Sequence, residues 1–304
     1  MFSFLRHFSY LLIIVILLGC SKKPTDGTNP YQPVYPVICD APAWSPDGNT
    51  IAYVYNGIIE VHPWGGATVD PSLGGIWFMN PDGTNKRMFL HGGAWPDWSP
   101  DGQKLVIGGS AQIYTIKTNG DSLTQLTFSG RNFFPDWAPD GKRIAYSTSA
   151  PVDSSGIWII NVSHEYSKHL GLGYMPDWSP DGSRLVYIGL GNNLYVADTN
   201  GNNRIQLTFL KDCDNRHPVF SPDGKKIAFS SASPYSGVQI YVMNSDGSDL
   251  KKLTTEGGTS PCWSPDGTKI PFVRRNWEYS SKQGQIWIMD ADGNNKTQLT
   301  FEGW

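Results

Sequence analysis

The chain is short of charge, of cysteine and of helical periodicity, and each shortage removes a class of function. Charged residues make up 17% of its 304 residues and the net charge is −3, against about 25% charged in an ordinary globular domain. With no basic stripe, a nucleic-acid partner is excluded. No Gly-x-Ser-x-Gly elbow, His-Glu-x-x-His, Cys-x-x-Cys pair or phosphate-binding Gly-rich loop occurs, so the motifs of serine hydrolases, zincins and P-loop enzymes are missing. No stretch repeats its apolar residues every three to four positions, as an amphipathic helix requires. Four cysteines are present. The one long apolar run, over residues 8–18, is short for a membrane-spanning helix.

Aromatic residues are plentiful: 12 Trp, 14 Tyr and 13 Phe, with 33 Gly and 22 Pro. Many of them sit in one repeated motif. Trp-Ser-Pro-Asp-Gly, or a one-letter variant, starts at Trp44, Trp98, Trp137, Trp178, Phe220 and Trp263. Self-similarity with a period near 40 residues marks a repeat architecture. Each unit reads as four strands. Pro-Asp-Trp-Ser ends a first strand, and Pro-Asp-Gly turns it. An apolar run such as Ile144-Ala145-Tyr146 follows. A third run alternates with period two, as in Ile157-Trp158-Ile159-Ile160, and its β-branched and aromatic residues suit a half-buried strand. An Asp-Gly turn then leads to a fourth strand ending in Leu-Thr, at Leu126-Thr127, Leu207-Thr208, Leu253-Thr254 and Leu299-Thr300. Six such units without helices predict an all-β six-bladed propeller of four-stranded antiparallel blades. It spans residues 38–304, and no strand is left over to complete a blade begun at the other terminus. Ring closure is therefore expected from face packing of blades one and six.

The N-terminus reads separately. Residues 8–18 form an apolar run, and Leu17-Leu18-Gly19-Cys20 follows. The run fits a secretory leader over residues 1–19, and the tetrapeptide resembles the bacterial lipobox, which implies lipidation of Cys20. Residues 20–37, rich in Pro, Thr, Asn and Gly, read as a flexible tether of a protein anchored in the bacterial cell envelope, at the outer membrane facing the periplasm or the cell surface. Loss of Cys20 to the lipid leaves Cys39, Cys213 and Cys262, enough for one disulfide at most.

Trp-Ser-Pro-Asp-Gly-x-x-Ile-Ala-Phe, then Ile-Tyr-Val-Met-Asn-x-Asp-Gly and Leu-Thr, resembles the TolB-type WD40-like propeller repeat over nearly all of residues 38–304. The resemblance implies a periplasmic propeller. TolB proteins carry an α/β domain before theirs, and the tether here is too short for one.

Loop lengths point to the functional face. Turns after the first and third strands are short and near-identical. Loops between second and third strands are longer and varied, and they share an end of the ring with the segments leading into each first strand. Binding residues concentrate on variable loops of a rigid scaffold. That end carries Trp64, Trp95, Arg131, Phe133, Phe134, Tyr174, Arg216, His217, Tyr235, Arg274 and Trp277, and aromatics with arginines are the usual anchors of protein recognition. Several of these side chains would equally cap blade interfaces. Pro-Asp-Trp recurs in three blades, placing Asp97, Asp136 and Asp177 in an acidic arc along the channel. The arc would hold a cation or a basic side chain of a partner. The simpler expectation is that each carboxylate accepts a hydrogen bond from a neighbouring strand. The histidines have no metal-ligand spacing. The expected function is non-enzymatic: a monomeric envelope lipoprotein, with no cofactor, whose loop face binds a protein segment or an extended polymer such as a polysaccharide. The alternative is a carbohydrate-active lyase or hydrolase acting at the channel mouth.

Overall fold

A computed structural model describes residues 39–61, 67–149, 154–171, 173–209, 213–233, 237–274 and 284–301. The leader, Cys20 and the tether lie outside the described residues. Blade one pairs Cys39–Trp44, Ile51–Tyr55, Gly75–Met79 and Arg87–His91 in that order. Blades two to five repeat the antiparallel order with first strands Ala94–Trp98, Arg131–Trp137, Tyr174–Trp178 and Asp214–Phe220. Blade six has Lys269–Arg274, Gln285–Asp290 and Thr297–Gln298 as a three-stranded sheet. Its inner position is taken by the segment before Trp263, which departs from a regular strand.

One blade cannot bury both faces of its sheet, so the ring has one apolar cluster at each of its six interfaces. Between blades one and two, Ala52 and Phe78 meet Trp98, Leu105 and Ile107. Between blades two and three, Val106 and Ile113 meet Trp137, Ile144 and Tyr146. The motif tryptophan always belongs to the later blade and lies against the earlier one. The remaining clusters follow the same scheme. Blade six closes on blade one through Ile286 and Leu299 against Cys39, Ile51, Tyr53 and Met79. Among the described residues closure therefore rests on face packing and a bond from Cys39 N–H to Gly284 O at 2.5 Å, with no exchanged strand.

The repeated polar letters have local tasks. In blade two, Ser99 Oγ donates to Asp101 Oδ1 at 2.6 Å, the same oxygen accepts Gln103 N–H at 3.0 Å, and Ser99 Oγ accepts Lys104 N–H at 2.9 Å. The Ser-Pro-Asp-Gly turn is thus fastened by its own side chains. Blade three has Ala138 in place of serine, and there Asp140 pairs with Arg143 instead, at 2.6 Å. The threonine of Leu-Thr accepts the N–H that opens the third strand, as Thr127 does from Ile113 and Thr208 from Leu194, both at 2.9 Å. Each occupies a buried position where an unpaired amide would be costly.

The long loop of blade one folds into a hairpin, Ile58–Val61 with Ala67–Val69, and a short 3-10 turn, Pro71–Leu73. Cys39, Cys213 and Cys262 are all free thiols.

Candidate functional site

The innermost strands carry a feature the sequence reading did not isolate. Each departs from regular pairing just before its motif tryptophan or phenylalanine. In blades one to five the register shifts between Asp40 and Ala43, Ala94 and Asp97, Phe133 and Asp136, Tyr174 and Asp177, and Arg216 and Val219. At each shift one non-glycine residue takes a left-handed backbone, followed by proline. These residues are Ala41, Trp95, Phe134, Met175 and His217, with Ser260 at the matching place in blade six; φ lies between 47° and 54° at all six (48, 50, 52, 53, 50 and 51). A left-handed conformation costs an L-residue roughly 1–2 kcal/mol, and a bulge re-aims the side chain it carries. These six residues stand at one level of the ring, one per blade, and Met175 is buried in the cluster between blades four and five.

Three of them meet there. The rings of Trp95 and Phe134 are 4.6 Å apart, and Phe134 stands edge-on to His217 at 6.1 Å. Blades three and five share no interface, so the Phe134–His217 contact passes over Met175 of blade four, on whose cluster Phe134 also packs. Phe133 extends the row, edge-on to Trp95 at 5.7 Å, and the exposed Arg131 guanidinium lies 5.9 Å from the Phe133 ring. Trp95 depends on the bare backbone of Gly108, where a Cβ would approach its ring to 2.7 Å. His217 donates its N–H to Met175 Sδ at 3.4 Å and sets Nδ1 3.5 Å from Thr259 Oγ1. Arg131, Phe133, Trp95, Phe134 and His217 thus form one contiguous row.

Two residues further along each first strand comes a second ring: Ala43, Asp97, Asp136, Asp177, Val219 and Cys262. The three carboxylates stitch successive blades together. Asp97 Oδ2 accepts Trp137 N–H at 2.7 Å, Asp136 Oδ2 accepts Trp178 N–H at 2.7 Å, and Asp177 Oδ2 accepts Phe220 N–H at 2.8 Å. Cys262 takes the equivalent position in blade six, where its thiol donates to Trp263 O at 3.6 Å and its sulfur faces Trp44 N–H. Burial drives the Asp97 carboxyl up to about 7, against the hydrogen bonds from Trp137 and Trp98. Burial also raises Asp136 well above the ordinary carboxylate range, and repulsion from Asp177 and Asp97 adds to it. Asp177 is raised by burial and by Asp97. Burial pushes the Cys262 thiol up to about 12, and the three carboxylates add to the effect.

The other expected anchors divide. Arg216 is held by Asp214, with Nε 2.9 Å from Oδ2. Arg274 lies 4.5 Å over the Trp287 ring and pairs with Glu256. Tyr174 donates its hydroxyl to Asn192 at 2.8 Å. These three are engaged within their own rim rather than joined to the row. Trp64, Tyr235 and Trp277 lie outside the described residues. Among the described residues no group of three His, Cys, Asp or Glu side chains is arranged to hold a metal. His169 stacks on Trp158 at 4.9 Å, away from the channel.

Fold and site define a six-bladed propeller whose channel carries an aromatic row at one mouth and a carboxylate arc beneath it. Residues 172–304 match the TolB β-propeller domain model. The Tol-Pal system protein TolB of Francisella tularensis subsp. mediasiatica is 32% identical over 234 residues, which cover 70% of this chain and 53% of that protein. The crystal structure of TolB from Acinetobacter baumannii superposes with a TM-score of 0.71 at 22% identity, over 84% of this chain and 65% of that one. An oligogalacturonate lyase in complex with manganese shares the fold, with a TM-score of 0.57 at 12% identity over 86% of this chain and 78% of that one. The propeller of this chain is of the TolB type. The chain spans about half the length of the curated relatives it matches.

Proposed function

We propose that this protein is a non-enzymatic cell-envelope binding propeller, anchored through Cys20, that takes a protein segment or extended polymer across the loop-face mouth of its channel. The observation that carries this reading is the contiguous row from Arg131 through Phe133, Trp95 and Phe134 to His217. It offers broad apolar faces and a fixed guanidinium on rigid inner strands, the composition of interface hot spots. The opposite end of the ring offers short, self-satisfied turns. Similarity to a Tol-Pal system protein supports an envelope role.

The reading is tested with a partner recovered from envelope extract on the immobilised protein. Phe134→Ala and Arg131→Ala are expected to weaken binding, the former by about 2 kcal/mol or roughly thirtyfold. Asp246→Ala, in a third-to-fourth-strand turn on the other end, leaves affinity unchanged. Because Phe134 also packs on the apolar cluster between blades four and five, the exposed Arg131 serves as the variant free of packing effects. Loss of binding in Asp246→Ala alone would place the site at the wrong end. For the anchor, Cys20→Ser is expected to move the protein out of the membrane fraction or to block its processing. Unaltered membrane retention and size in that variant would remove the lipid from the proposal.

A further inference from the structure

The six inner strands are not equally fastened, and the difference is concentrated in residues 258–263 of blade six. In blade three the inner strand pairs Asp136 with Ala145 and Trp137 with Ile144. In blade five five residue pairs join the inner strand to the next, from Asp214 with Ala232 to Phe220 with Ile227. In blade six the matching ladder shrinks to the Thr259–Val273 bridge and one bond from Cys262 N–H to Pro271 O at 3.0 Å. In that register the return bond to Cys262 would come from the N–H of residue 271. Proline has none. Ala52, Ala145 and Ala228 stand at the corresponding place in blades one, three and five, paired with Ala43, Asp136 and Val219. A proline inside a central strand removes one rung of the ladder.

On its other side the segment is held to blade one by Ser260, and its stitch at Cys262 is weak. Where Asp97, Asp136 and Asp177 offer carboxylates to the following blade, Cys262 offers a sulfur to Trp44 N–H, and sulfur is a weak acceptor. Ala43 and Val219 offer no side-chain acceptor, yet their strands keep the pairing with Ala52 and Ala228. Only in blade six do a missing rung and a weak stitch coincide, and they do so at the joint where the ring closes.

We infer that residues 258–263 form a detachable inner strand, so that the channel opens sideways at the joint between blades six and one. The strand also braces the mouth. Thr259 Oγ1 contacts His217 Nδ1 at 3.5 Å and Ser230 Oγ at 3.3 Å, and Ser260 Oγ donates to Asp40 Oδ1 at 2.9 Å. Release of the strand therefore removes the Thr259 contact from His217, which keeps its backbone bond to Met175 Sδ and its edge contact with Phe134. The inference concerns the fastening of this strand and stands whether or not the mouth binds a partner.

Hydrogen exchange followed by mass spectrometry on the full chain tests it. Amides of residues 259–263 are expected to exchange about tenfold or more faster than those of residues 132–137, through local opening rather than global unfolding. Pro271→Ala restores the missing donor and is expected to slow residues 259–263 toward the blade-three rate. Ala145→Pro should give blade three the same fast exchange. Maleimide labelling of Cys262, read at that residue by mass spectrometry, should outpace labelling of Cys39 and slow in Pro271→Ala. Equal exchange in the two inner strands of the unmodified protein, or exchange and labelling unchanged in Pro271→Ala, overturns the inference.

Discussion

Asp136→Asn is expected to raise the thermal stability of the protein at pH 7.5 and to leave it nearly unchanged at pH 4. The side chain keeps an oxygen to accept Trp178 N–H but no longer carries a charge between Asp97 and Asp177. The sign follows from linkage. These carboxyls are raised in the folded state, so the folded protein holds more protons than the unfolded chain above the ordinary carboxylate range. Stability is then greatest at low pH and declines as pH rises, over the span from about 4 to about 7 for Asp97. The carboxylates retain some contact with channel solvent, which screens the effect, and a gain of about 2 kcal/mol at neutral pH is the expected size for one substitution. Asp136→Leu should behave in the opposite way at pH 4, because it leaves the Trp178 amide without its acceptor, at a cost of about 1–3 kcal/mol. Melting curves of the three proteins at pH 4, 5.5 and 7.5 check both statements. A wild-type melting temperature that climbs from pH 4 to pH 7.5, with no gain in Asp136→Asn, would contradict them.

Gly83→Ala and Gly120→Ala are expected to differ sharply although both change the same turn position. Both glycines are left-handed, with φ of 83° and 93°. An added Cβ at Gly120 meets nothing within 4 Å, so the cost is the backbone strain of about 1–2 kcal/mol. At Gly83 the same carbon would lie 2.7 Å from Leu299 O and 3.1 Å from Leu299 Cα. Those atoms belong to blade six, across the closing joint, and backbone cannot step aside as a flexible side chain can. Gly83→Ala is expected to lose about 3 kcal/mol or more. Equal denaturant midpoints for the two variants would show that the joint is looser than its packing indicates.

The repeat made the blades, their order and the closure legible before any coordinates, because the turn letters and period-two runs act locally and recur. Pro-Asp-Trp repeats at fixed spacing for the same reason, and so puts Asp97, Asp136 and Asp177 at one strand position. What Asp97, Asp136 and Asp177 do was open, since hydrogen bonds between blades some forty residues apart leave no local trace. The row at the mouth was half legible. Trp95, Phe134 and His217 stood out by residue type, yet Ala41, Met175 and Ser260 occupy the same position and did not. Aligning the residue before each proline would have gathered all six. Arg216 and Arg274 stood out equally, and only the positions of Asp214, Glu256 and Trp287 separate them from the row. The gap in the blade-six ladder was visible as Pro271 standing where three other blades have alanine, but its consequence depended on knowing which way that residue's missing N–H would face.

The six left-handed positions hold one backbone shape while carrying Ala, Trp, Phe, Met, His and Ser. The crown they form is accordingly a surface whose chemistry is written by one residue per blade, separately from the scaffold that displays it. In this protein the writing is lopsided. Bulky rings stand at blades two, three and five, Met175 is buried between blades four and five, and the small Ala41 and Ser260 flank the closing joint. A segment bound at that end would meet aromatic rings on one side and small residues on the other, which would give the ring a direction that its near-sixfold frame does not have.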